Sequence, residues 1–94
     1  MTYKEFEAAK EHYRWRLFAS VLSSLQQGYF RYYDNGGRIS DIARTLERSE
    51  KWVDDRLTGR KELTLNNISD LALAMGFEIR WQLIPIAAAA KEIA

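Results

Sequence analysis

The stretch Arg38-Ile-Ser-Asp-Ile-Ala-Arg-Thr-Leu-Glu-Arg-Ser-Glu-Lys-Trp-Val-Asp-Asp-Arg-Leu-Thr-Gly-Arg-Lys61 decides how this chain folds. Two short helices, each with its own start signal, are written into it. Ser40 is a good N-cap, because its hydroxyl can accept from an unpaired amide one turn ahead. Ile42, Ala43 and Leu46 then fall at one-turn spacing. Ser49 offers a second cap, followed by Val53 and Leu57 four apart and by Gly59, a residue that ends helices readily. Two capped helices this short, joined by so few residues, match the helix-turn-helix pattern.

The remainder of the chain sets bounds on that reading. A length of 94 residues without a linker-like segment predicts one domain with a modest core. Apolar content of 47% beside 29% charged residues describes a globular protein and not a disordered one. With no cysteine, disulfide frameworks, thiol nucleophiles and cysteine-based zinc sites are excluded. Leu83 to Ala90 is the longest apolar run; it is too short to span a bilayer, and Pro85 interrupts it. No signal-peptide pattern opens the chain, so the expected location is cytoplasmic, with no membrane partner. The net charge of +1 lacks the strong basic footprint of many nucleic-acid binders.

Upstream of the central stretch, residues 3 to 33 read as helical with a break near Gly28. Phe6, Ala9, Tyr13, Leu17, Val21, Leu22, Leu25 and Tyr29 recur at three- and four-residue steps as one apolar stripe. Lys4, Glu5, Glu7, Lys10, Glu11, Arg14 and Arg16 fill the other face with mixed sign, the mark of a solvated surface. Residues 1–13 form a helical extension that could dock on a partner subunit or fray. Tyr29, Phe30, Tyr32 and Tyr33 beside Arg31 suit either stacking on bases or packing at a helix end. Asp34-Asn-Gly-Gly37 is a turn.

Downstream, Thr64 starts a further helix with Leu65, Ile68, Leu71, Ala72 and Met75 on one face, and Gly76 ends it. Phe77-Glu-Ile-Arg-Trp-Gln-Leu83 alternates apolar and polar, which predicts a strand over 77–85 closed by Pro85. One strand needs a partner, and the chain offers no second candidate. The expectation is therefore a homodimer in which this strand pairs antiparallel with its own copy, through Phe77, Ile79, Trp81 and Leu83. Residues 86–94 form an alanine-rich, helix-compatible tail.

The run from Ile39 to Pro85 resembles the lambda-repressor/Cro-like, or XRE, family of helix-turn-helix DNA-binding proteins. The resemblance is nearest to the small subgroup of phage and plasmid repressors and antitoxins. Ser40-Asp-Ile-Ala43 with Leu46 carries the first motif helix, and Ser49-Glu-Lys-Trp-Val53 the start of the recognition helix. Leu57-Thr-Gly-Arg-Lys61 resembles its end. Glu62-Leu-Thr-Leu65, Ile68, Asp70-Leu-Ala72 and Ala74-Met-Gly76 resemble the tail. The resemblance implies a mainly α, five-helix lambda-repressor-like domain (helix-turn-helix over 38–61) with the N-terminal extension and the C-terminal dimerising β-strand.

It also implies a transcriptional regulator that binds double-stranded DNA as a homodimer on a partly palindromic operator. Mapped onto this chain, Glu50, Lys51, Asp54 and Asp55 point at base edges, while Arg38, Ser40, Arg44, Ser49, Arg60 and Lys61 meet phosphate. Three carboxylates depart from the family pattern, which carries glutamine at Glu50 and neutral or basic residues near Asp54 and Asp55. They favour either narrow readout through cytosine amino groups or a protein partner, including the toxin of an antitoxin pair. Catalysis is not expected: His12, the one histidine, has no nucleophile or carboxylate constellation beside it. Asp54 and Asp55 point in different directions and make a poor metal site, so neither metal nor cofactor is expected.

Overall fold

A computed structural model describes residues 1–86; the expected tail after Ile86 lies outside the described residues. Four helices follow one another: α1 (Tyr3–Asp34), α2 (Ile39–Leu46), α3 (Glu50–Leu57) and α4 (Leu65–Ala74). The expected fold class is corrected here. Mainly α it is, but with four helices in place of five and with no strand among the described residues.

The long helix α1 begins at Thr2, whose hydroxyl accepts from the Glu5 amide at 3.1 Å. It runs through Gly28 without the expected break. Glycine at mid-helix costs up to about 1 kcal/mol against alanine, too little to interrupt a helix whose flanks are both packed. Phe77 packs over this point of the helix, its ring 3.4 Å from where a Cβ would stand, an ordinary contact distance. At 32 residues, α1 is far longer than the body it packs against, and only Val21 and Leu25 on it are fully buried.

Ten apolar residues form the core, with Leu25, Ile42, Val53 and Leu71 its largest enclosed members, one from each helix. Helix α2 packs chiefly on α3, and α4 packs on α1 and α2. The Ser40 cap is corrected: Arg38 stands at the cap position and α2 starts at Ile39, two residues earlier than a Ser40 cap would place it. Asp41 closes that end instead, accepting from the Arg38 amide at 3.0 Å, which places its charge at the positive end of the helix. The caps of α3 and α4 are Ser49 and Thr64, accepting from Trp52 and Asn67 amides at 3.0 and 3.1 Å.

All four helices end alike. A residue at positive φ is followed by an amide bonded five residues back, the Schellman arrangement. The positive-φ residues are Gly36, Glu47, Gly59 and Gly76, and the closing bonds run from Gly37, Arg48, Arg60 and Phe77 to Tyr32, Ala43, Asp55 and Ala72. At Gly59 the requirement is doubled, because a Cβ would stand 2.8 Å from Leu22. Only α2 stops on a residue with a side chain.

The expected dimerising strand is the main correction. From Phe77 over Gly28, the chain runs back along α1 to Ile86 beside Tyr13. Nine residues thus cover about 22 Å of helix, or about 2.5 Å each, nearer to extended chain than to a helix. Phe77 and Ile79 turn inward onto the core while Glu78 and Arg80 face out. Period-two alternation therefore reports an extended segment laid on helices, which needs apolar surface on one side but no ladder. Trp81 and Leu83 do not continue inward and remain 51% and 103% exposed.

Candidate nucleic-acid interface

Helix α3 and the loop after it carry Glu50, Lys51, Asp54, Asp55, Arg60 and Lys61, while Arg38 and Arg44 stand at the start and on the body of α2. Helix α3 turns Val53 and Leu57 into the core. Its C-terminal end is tied to α1, where the Gln26 amide donates to the Leu57 carbonyl at 2.8 Å. That bond satisfies one of the carbonyls a helix end leaves open, and it fixes α3 against the long helix. Nothing in the local sequence of α3 announces Gln26.

Among the four expected base-reading residues, Glu50 and Lys51 are exposed on the first turn of α3. Asp54 is half-buried and binds Arg60, whose Nη2 donates to its carboxylate at 2.6 Å. Asp55 is only 8% exposed and lies against the body. Lys51 Nζ donates to its Oδ2 at 2.8 Å, and Arg60 Nε lies 3.7 Å from its Oδ1. The Lys51 hydrogen bond holds the Asp55 carboxyl below the usual aspartate range, against the opposing effect of burial, with Lys51, Arg60 and Lys61 adding attraction. The carboxylates at 54 and 55 are therefore matched by cations from one turn before and from the loop after the helix. Only Glu50 among the acidic residues of α3 is outside such a pair among the described residues.

The six expected phosphate-binding residues are distributed less uniformly. Arg60 and Lys61 are exposed just past α3, and the Arg60 Nε also donates to Thr58 Oγ1 at 3.0 Å. Ser49 is committed as a cap and Ser40 is exposed in the first turn of α2. Arg44 pairs with Asp41 at 3.5 Å. Arg38 is engaged in closing the α1–α2 turn, donating to the carbonyls of Gly37 and Tyr33 at 2.8 and 3.2 Å and lying 4.1 Å over the Tyr33 ring. The aromatic cluster at the end of α1 accordingly serves packing at Tyr29 and Tyr32, while Phe30 stays exposed.

Two arginines were not anticipated. Trp52 packs on the core with the Arg56 guanidinium 4.0 Å from its ring and that of Arg48 at 5.2 Å. Arg56 also donates to the Trp52 carbonyl at 3.2 Å, and its Nε is buried without a partner. The spacing Trp52-x3-Arg56 is the signal that could have found Arg56, since four-residue steps stack side chains on one helix face, whereas Arg48 precedes the helix and carries no such signal. Arg48 is exposed in the turn directly before α3, and neither it nor Lys61 joins an ion pair among the described residues.

Between Arg38 and Glu62, seven arginines and lysines stand beside six carboxylates. The surface is close to balanced in charge, with Arg44, Lys51 and Arg60 paired to carboxylates and Arg48 and Lys61 outside such pairs among the described residues. Such a face can present Lys51, Arg48, Arg60 and Lys61 to an anion, with Asp54 and Asp55 competing for two of them.

Comparison with protein-family models, with curated proteins and with solved structures found no match. No described helix is long and apolar enough to cross a membrane.

Proposed function

We propose that this chain is a cytoplasmic DNA-binding regulator of transcription that presents the N-terminal turn of α3 to the major groove of duplex DNA. The observation that carries the reading is the pose of α3. It is a short, capped helix held from behind by Val53, Leu57 and Gln26, with Glu50 and Lys51 exposed on its leading turn, Lys51 bound to Asp55 at 2.8 Å, and Arg60 and Lys61 just past its end. In that role Glu50 accepts from base-edge amino groups, Lys51 donates to acceptors, and Arg48, Arg60 and Lys61 meet the flanking phosphates. Asp55 belongs to the support of the face, not to the reading of bases. Asp54 restrains Arg60 until a phosphate replaces it, which lowers affinity for arbitrary sequence and so favours discrimination.

A random duplex pool passed over the protein at low salt tests this. The expected result is enrichment of a short motif, with affinity falling by about 0.9 log units per log unit of salt for each phosphate contacted. Arg60→Ala and Lys61→Ala should each reduce that slope by about one contact, while Arg14→Ala leaves it unchanged. Absence of salt-dependent binding at low salt would refute the reading. A second reading, a protein-interaction module such as an antitoxin, draws on the near-balance of charge over residues 38–62. It predicts that no motif is enriched while a protein partner still binds this face.

A further inference from the structure

Glu50 and Lys51 form the leading turn of α3, and both are exposed. One turn behind each stands a carboxylate, at a spacing that shares a helix face. Behind Glu50, Asp54 is held by Arg60 at 2.6 Å; behind Lys51, the buried Asp55 accepts from its ammonium at 2.8 Å. Glu50 alone among these carboxylates has no ion pair among the described residues. An ionised carboxylate can only accept a hydrogen bond. The major groove offers it two kinds of donor, the N4 amino group of cytosine and the N6 amino group of adenine. Adenine sets its N7 acceptor beside that amino group, and an acceptor opposes a carboxylate. Cytosine presents the donor alone. Lys51 has the opposite need. Of the three donors on its ammonium, Asp55 takes one. Two remain, and guanine presents two acceptors, O6 and N7.

We propose, on the reading that α3 enters the major groove, that its target is specified by a C·G pair, with cytosine N4 donating to Glu50 and guanine O6 and N7 accepting from Lys51. The two bases are partners, so adjacent side chains of opposite chemistry meet the two halves of one pair. Every other pair leaves a mismatch. An adenine–thymine pair sets an acceptor beside the amino group that Glu50 would take, and gives Lys51 thymine O4 where guanine gives two acceptors. The same pair in reverse orientation sets Glu50 against O6 and N7, lone pair against lone pair. Asp55 is a positioning residue here. Its buried carboxylate holds the Lys51 ammonium on the leading turn and reaches no base itself.

Selection from a random duplex pool, by the full wild-type chain and by Glu50→Gln, followed by titration of the selected duplexes, provides the test. Glu50 is exposed and pairs with no described residue, so both proteins should show the same helical circular dichroism. The wild-type motif should contain a C·G pair whose replacement by T·A weakens binding roughly tenfold to a hundredfold. Glu50→Gln should move the preference at that position alone from cytosine to adenine, whose N6 and N7 match a side-chain amide. The salt dependence should stay as in wild type, because Glu50 meets no phosphate. Replacing the guanine of that pair by 7-deazaguanine, which lacks the N7 acceptor, should weaken wild type severalfold and leave Lys51→Ala unaffected. A motif that Glu50→Gln leaves unchanged, or one whose altered position is not a C·G pair in wild type, overturns the proposal and leaves α3 as a DNA-binding helix. If Glu50→Gln selects nothing, wild type on the 7-deazaguanine duplex decides, and undiminished binding overturns the proposal. A wild type that enriches no motif overturns it together with the DNA reading.

Discussion

Replacing Glu47 by glycine should stabilise the protein while leaving every side-chain contact in place. Glu47 ends α2 at φ 54, the single non-glycine residue at positive φ among the described residues. A residue with a Cβ pays roughly 1–2 kcal/mol in that conformation. Glycine removes the cost but gives the unfolded chain more freedom, which returns about 0.4–1 kcal/mol. The Glu47 carboxylate is exposed and joins no hydrogen bond or ion pair among the described residues, so its loss subtracts nothing else. The Schellman bond from Arg48 to Ala43, 2.9 Å, is a backbone bond and survives. The net gain is about 0.5–1 kcal/mol, or about 3–6 °C in Tm for a domain of this size. Thermal and urea unfolding by circular dichroism would measure it, with Glu47→Ala as the control that keeps a Cβ. A glycine variant no more stable than wild type, or matched by the alanine variant, would refute the reasoning from strain.

Asp55 should govern the acid limb of stability. Its carboxyl titrates below the ordinary aspartate value when folded, so its contribution is present above ~4 and is lost as the pH falls through the folded value. Urea midpoints from pH 7 to pH 3 should fall more steeply for wild type than for Asp55→Asn, and parallel profiles would exclude the Lys51 hydrogen bond as the cause. Gly28→Ala should gain up to about 1 kcal/mol from helix propensity, because its Cβ meets Phe77 at ordinary contact distance, whereas Gly28→Leu should lose stability by displacing that ring. Calorimetric Tm values for the two variants should therefore move in opposite directions. Gln26→Ala should cost about 1 kcal/mol in the same measurement by leaving the Leu57 carbonyl without its donor.

What was legible beforehand was local. The caps Ser49 and Thr64, the inward positions Ile42, Val53, Leu57, Ile68 and Leu71, and the glycines that end three helices each follow from a residue type at a fixed offset, so a short window of sequence suffices. Glu47 shows the limit of that logic. Its conformation is imposed by the packing of α2 on α3, and nothing in its own chemistry asks for positive φ.

Tertiary structure decided the rest. Alternation over residues 77–83 specified an extended chain, but only the α1 surface beneath it determined that packing replaces a ladder. The candidate site divides in the same way. Sequence identified its charged residues at 50, 51, 54, 55, 60 and 61, since these stand at helix-defined positions. Which of them are free is a matter of distances under 4 Å between residues four to six apart, set by how α3 ends and how Arg60 folds back. Those distances turned two expected base readers into partners of Lys51 and Arg60, because a buried or half-buried carboxylate is stable only beside a cation or a donor.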